Sequence, residues 1–147
     1  MKLPKELINA LIIFAGIGIY FFIIDLLGLS NVLWLRVLNV FFVWYGVNRT
    51  LSYNIEHGKK GYGYNLLSAG ITAVLGVIFA TIGMVAYIHM RGGDAFIEEN
   101  LASEMLFGGK PTANQFSIGI FIEGFASALM VIFVSVQYWR SKMAAQD

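Results

Sequence analysis

Apolar residues run almost unbroken through four stretches of the chain, about residues 7–27, 31–48, 64–89 and 116–139, with short polar segments between them. None of the four alternates strictly from residue to residue, so strands fit poorly. A helix needs about 20 apolar residues to cross the hydrocarbon core of a bilayer. A backbone in lipid must also satisfy its own hydrogen bonds. The pattern predicts an all-α, polytopic membrane protein, a single domain over residues 1–147 built as a four-transmembrane-helix bundle. The second run is the shortest and extends to residue 51 at most. The third is long enough to tilt. The opening Met1-Lys2-Leu3-Pro4-Lys5 resembles the start of a signal peptide. The apolar run after it exceeds the usual core of about 7–15 residues, and no A-x-A-like site follows, so a retained first span is expected.

The connections differ in character. Gly28-Leu29-Ser30-Asn31 reads as a tight helix hairpin, with Ser30 or Asn31 as N-cap of the second span. The next loop, residues 49–63, carries Arg49, Lys59 and Lys60 against Glu56, with Tyr53, Tyr62 and the adjoining Tyr64 suited to the headgroup layer. The last loop is acidic. Within it, residues 94–107 read as a short amphipathic helix: Gly92-Gly93 breaks the preceding span, Asp94 is a cap candidate, and Ile97, Leu101 and Met105 recur at helical spacing. This segment is either an interfacial helix or a lid on the bundle. Trp34, Trp44 and Trp139 lie near span ends and read as interface anchors.

Charge sets the expected orientation. With the N-terminus in the cytoplasm, Lys2, Lys5, Arg49, Lys59, Lys60, Arg140 and Lys142 lie inside, and Arg91 and Lys110 outside. Seven against two is a positive-inside asymmetry, so both termini are expected in the cytoplasm, in a bacterial inner membrane.

The bulk composition narrows the chemistry. Only 13% of the 147 residues are charged, the net charge is +1, and there is no cysteine. Nucleic acid is not an expected partner. Disulfides, thiolate nucleophiles and cysteine-ligated metals are excluded. His57 and His89 fall at opposite ends of one predicted span, so they cannot share a metal within one chain. No P-loop, dinucleotide fingerprint, H-E-x-x-H or G-x-S-x-G is present, so no catalytic or metal residue and no cofactor is expected. The Gly-rich basic turn from Gly58 to Tyr64 needs no ligand to explain it.

The candidate site is a set of polar residues within the spans. Glu123 sits in the middle of the last apolar run, where a carboxylate is costly and ordinarily faces a partner or water. Asp25 ends the first span, His89 ends the third, and Arg36 and Asn39 lie three residues apart in the second. With Glu123 about 10 Å inward from its end of the span, all five fall in the outer half of the membrane. An ion pair of Arg36 with Glu123 or Asp25, supported by Asn39, is the expected arrangement. It acts either as a latch on helix register or as a proton or ion site.

Helix packing in lipid depends on small residues. The third span carries Ala69, Ala73, Gly76, Ala80 and Gly83 at spacings of four, three, four and three, the period of a left-handed seam. Gly124 and Ala128 add to it from the fourth span. The seam serves either packing within one bundle or contact with another subunit.

From the Gly-Tyr-rich basic loop onward the order of parts resembles a class of small four-helix bacterial inner-membrane proteins of unknown function. The resemblance covers about residues 58–140: a long third span ending Ala86-Tyr87-Ile88-His89, an outer segment with Asp94-Ala95-Phe96-Ile97-Glu98, and a last span carrying Ile120-Phe121-Ile122-Glu123-Gly124-Phe125-Ala126-Ser127 and ending Gln137-Tyr138-Trp139-Arg140. It implies four helices and an inner membrane, and no activity. The functional expectation is a non-enzymatic accessory or assembly subunit with a protein partner in the bilayer, in a homo- or hetero-oligomer. The alternative is a small oligomeric proton- or ion-coupled transporter or channel using Glu123.

Overall fold

The computed structural model describes residues 4–101 and 111–144. They form six helices: α1 (Lys5–Leu26), α2 (Leu33–Val37), α3 (Val40–Glu56), α4 (Tyr62–Met90), α5 (Asp94–Asn100) and α6 (Ala113–Ala144). No strand occurs among the described residues. Three helices, α1, α4 and α6, are long and apolar enough to cross a membrane. They coincide with the first, third and fourth apolar runs, with α4 and α6 reaching beyond the expected ends.

The second run differs from expectation. It is not one helix over residues 31–48. Helix α2 stops at Val37, and α3 starts at Val40 and continues to Glu56. Across the interruption the backbone bonds tighten to three-residue spacing: Asn39 N to Arg36 O (3.0 Å) and Phe42 N to Asn39 O (3.1 Å). The Leu35 carbonyl thereby loses its helical donor. The Tyr20 hydroxyl of α1 donates to it instead, at 2.9 Å. A freed carbonyl in an apolar setting needs such a partner, so the break and Tyr20 belong together. Nor do Ser30 or Asn31 cap this element. Val32 holds the N-cap position of α2, with no side-chain cap bond.

Helices α1 and α3 end by the same device. Gly28 and Gly58 adopt φ of +69° and +74°, a region that costs glycine nothing and other L-residues dearly. Leu29 N then bonds Ile24 O (3.0 Å), and Lys59 N bonds Asn54 O (2.8 Å). These six-to-one bonds define Schellman caps. At α6 the start is a capping box. Gln115 N donates to Thr112 Oγ1 (3.3 Å) and Thr112 N to Gln115 Oε1 (3.1 Å).

The four long elements alternate in direction. Lys5 of α1 meets Tyr64 of α4 at one end, and Asp25 meets Arg91 at the other. Asn48 of α3 meets Trp139 of α6 toward the Lys5 end. Helices α1 and α6 each pack on both α3 and α4, which also touch one another across the bundle. The main core lies between them, with Ile13, Val47, Leu51, Ala73, Ala128 and Val136 almost fully buried. A second cluster lies at the Asp25 end, where Phe96 and Ile97 of α5, with Leu101, are buried against Ile88 and Phe116. Helix α5 thus folds onto the bundle. Asp94 sits at its first residue, and its carboxylate accepts a bond from Ala113 N of α6 at 2.6 Å rather than capping α5. The expected continuation of this helix over residues 102–107 lies outside the described residues.

Candidate functional site

Of the five polar residues singled out from the sequence, two meet directly. Arg36 of α2 donates to Glu123 of α6 at 2.5 Å. The side chains are 16% and 32% exposed, so the pair is largely withdrawn from the surface. Arg36 also lies over the Phe116 ring, 5.7 Å from its centroid, a favourable setting for a guanidinium. Arg36 thus joins α2, on the near side of the interruption, to α6.

Asp25 does not join that pair. It is only 7% exposed and binds Arg91 at 3.0 Å, and it accepts a short hydrogen bond from the Tyr87 hydroxyl. Arg91 stacks over the rings of Tyr87 and Phe96. This triad ties the ends of α1 and α4 to α5. His89 is exposed and, among the described residues, bonds only its own helix, through Nδ1 and the Val85 carbonyl at 2.8 Å, so it lies apart from both pairs. Asn39 is at the N-cap position of α3. Its Oδ1 is buried with no hydrogen-bond donor among the described residues.

The small-residue seam is filled from within the chain. Ala69, Ala73 and Ala128 have no exposed surface. A methyl group on Gly76 would lie 2.9 Å from Ile13 Cγ2, one on Gly83 2.6 Å from Phe14 Cε2, and one on Gly124 3.0 Å from Val77 Cγ1. Ala80 is half-buried beside them. Among the glycines whose surroundings are described, the tightest approach is at Gly46 of α3, which the seam pattern did not include. A methyl group there would overlap Ile13 and stand 3.2 Å from the Asn9 carbonyl. Ile13 is therefore wedged between Gly46 and Gly76, an apolar plug in the middle of α1, α3 and α4.

A second polar layer lies on the Lys5 side of that plug, and the sequence reading missed it. Asn9 donates to Thr50 Oγ1 at 2.8 Å, and Thr50 bonds Thr72 at 2.9 Å. Asn54 donates to Ser68 Oγ at 3.1 Å, and Ser68 donates to Glu6 at 2.6 Å. Glu6 in turn pairs with Lys5 at 2.8 Å. Thr50, Thr72, Asn54 and Asn65 are fully buried, and Asn54 Oδ1 and Asn65 Oδ1 lack a donor from the protein. Buried acceptors of this kind are ordinarily met by water. Lone hydroxyls inside apolar runs leave little trace in a hydropathy pattern. Each hydroxyl has one proton: whichever of Thr50 and Thr72 accepts from the other donates to the carbonyl one turn back, Gly46 or Ser68, which lowers the cost of burying them. The one available signal was helical spacing, with Thr50 and Asn54, and Ser68 and Thr72, each four residues apart.

Thr50 is the node of this layer. Thr50→Val keeps the shape and strands the Asn9 amide, so a loss of about 1–2 kcal/mol is expected, at the upper end for hydrogen bonds in membrane proteins. Thermal unfolding in detergent measures it. Thr50→Val and Thr72→Val together should cost less than the two singles summed, because they remove one shared bond.

Among the described residues, no group of three or more His, Asp or Glu side chains comes together in a way that could hold a metal ion. No protein-family model, curated protein or solved structure matches this chain. The bundle holds two paired charge sites toward one end, a hydroxyl and amide layer toward the other, and an apolar plug between.

Proposed function

We propose that this chain is a non-enzymatic, integral membrane accessory or assembly subunit. It crosses a bacterial inner membrane four times, with α2 and α3 forming one interrupted crossing and α5 on the outer side. The positive-inside asymmetry supports cytoplasmic termini. Helix α3 packs among α1, α4 and α6, which supports counting it as a crossing. At about 1.5 Å per residue, α2 and α3 together cover about 35 Å.

The observation that carries the functional reading is the Ile13 plug between Gly46 and Gly76. It separates the two polar layers, which disfavours a continuous path for protons or ions. The charges within the spans are paired within the chain, as a latch requires. The small-residue seam is likewise engaged internally, so contact with a partner falls to the outer faces. Of the three helices long and apolar enough to span a membrane, α6 is the least enclosed: 17% of its most apolar stretch is buried, against 22% for α1 and 28% for α4. Its outer face presents Phe121, Phe125, Leu129 and Phe133, spaced four residues apart and all exposed.

Native mass spectrometry of the protein extracted from its own membrane in mild detergent tests this reading. The expected result is a stable complex with a different, larger protein. A monomer or a pure homo-oligomer overturns it.

A second reading, an oligomeric proton- or ion-coupled transporter using Glu123, draws on the interruption beside Arg36. Broken helices next to intramembrane charge recur at transporter binding sites.

A further inference from the structure

An open groove of about 600 Å³ runs between α1 and α3, lined by Ile12, Ala15, Gly16, Phe41, Phe42 and Tyr45 among others. Gly16 makes its floor: a methyl group there would stand 2.5 Å from the Phe42 ring. The groove is apolar along its length, but its Lys5 end is cationic. Lys5 precedes Ile12 by two turns on α1, and Arg49 follows Tyr45 by one turn on α3, so both lie on the grooved faces. Lys5 Nζ sits between the Tyr53 and Tyr64 rings, 5.8 and 5.6 Å from their centroids. Lys59 reaches the same Tyr64 hydroxyl at 3.3 Å that Lys5 reaches at 3.2 Å. Two ammonium groups thus converge on one phenol oxygen.

The acids at this end do not balance these cations. Glu6 pairs with Lys5, and Glu56 is held by Ser52 at 2.8 Å within its own helix. Among the described residues, neither Arg49 nor Lys59 has a carboxylate within ion-pair distance. The dimensions also fit. From Lys5 to Gly16 is about 16 Å along α1, close to half of a hydrocarbon core about 30 Å thick, which is the depth of one leaflet.

We propose that this groove is a binding site for an anionic diacyl phospholipid of the leaflet at the Lys5 end. One acyl chain lies along Ile12, Ala15 and Gly16, and the phosphate lies among Arg49, Lys59 and Lys5. Charge complementarity selects an anionic headgroup over a zwitterionic one. The groove selects a lipid over free phosphate. The site is independent of whether the chain serves a partner or a transported ion.

The test uses the full chain, delipidated in detergent, with phosphatidylglycerol and phosphatidylcholine of matched acyl chains, read by native mass spectrometry. Wild type is expected to retain phosphatidylglycerol preferentially. Arg49→Gln and Lys59→Gln should each reduce that preference about fivefold. Ala15→Phe, which adds a ring at an exposed position in the groove, should weaken both lipids alike. Millimolar inorganic phosphate should displace neither. Circular dichroism checks that each variant remains helical. Equal retention of the two lipids by wild type overturns the proposal without recourse to any variant. So does an unchanged preference in both charge variants, unchanged binding in Ala15→Phe, or displacement by inorganic phosphate, which would mark a soluble-anion site.

Discussion

Gly46→Leu is expected to abolish the folded bundle. Leucine at this position must overlap Ile13, and the Asn9 carbonyl one turn earlier on α1 is backbone and has little freedom to retreat. Overpacking a core costs about 1–3 kcal/mol where side chains can yield. Here α1 itself must move away from α3, so the loss should exceed that range and consume much of a stability of about 5–15 kcal/mol. Fluorescence-detected size exclusion in detergent would report aggregated or absent protein. Gly76→Ala probes the other side of the same wedge. Its nearest neighbours are all atoms of the Ile13 side chain, from 2.9 Å outward, so Ile13→Ala should recover part of its loss. A Gly46→Leu protein that unfolds at the wild-type temperature would refute the wedge. Because Gly76 lies against α1 of its own chain, Gly76→Leu should likewise damage the fold rather than only the assembly.

The second large effect is expected at Glu123. Removing one partner of a buried ion pair costs about 3–5 kcal/mol, because the other charge stays behind in a medium that solvates it poorly. Arg36 and Glu123 keep some exposure, so about 2–3 kcal/mol is expected for Glu123→Ala. Glu123→Gln retains an oxygen for the guanidinium and should cost less. Replacing both residues by leucine should restore most of the loss, since an apolar pair of similar volume leaves no charge unmatched. Unfolding in detergent measures all three. The same Glu123→Gln protein in liposomes separates the two functional readings. A latch predicts a weakened fold with no proton flux to lose. A transporter predicts lost flux with the fold intact.

The helical class and three of the long elements were legible because long apolar runs leave few structural choices. Lys5–Leu26, Tyr62–Met90 and Ala113–Ala144 follow from hydropathy and from the Gly and Pro residues that punctuate it. The interruption at residues 38 and 39 was not legible. No Pro or Gly marks it, and the hydroxyl that satisfies Leu35 comes from Tyr20, on a different helix. Arg36 could be matched to Glu123 as one of two candidate carboxylates, because opposite charges at one depth have few other destinations. Asp25 was harder, since its partner Arg91 lies just past the end of α4 and reads in sequence as a loop charge. The seam on α4 was visible as a pattern. That its partner is Ile13 was not, because a seam shows where a helix can come close and not which one does. The hydroxyl and amide layer around Thr50 left the weakest trace. Asn9, Ser68 and Thr72 are single uncharged residues in apolar runs, Thr50 and Asn54 fall in a segment that reads as a loop, and only the fold brings them together.

The break between α2 and α3 also divides the bundle mechanically. A continuous helix transmits a twist or a push from one end to the other. Here the backbone ladder is interrupted at Leu38 and Asn39, so α2 is coupled through Arg36 to α6 and through the Leu35 carbonyl to α1. Helix α3 is coupled by separate bonds, through Asn48 to Trp139 and Ser135 of α6 and through Thr50 to α1 and α4. A rotation of α6 near Glu123 would load α2 through Arg36, whereas α3 would feel α6 through the separate bonds of Asn48. Helices α2 and α3 are thereby free to respond to different forces.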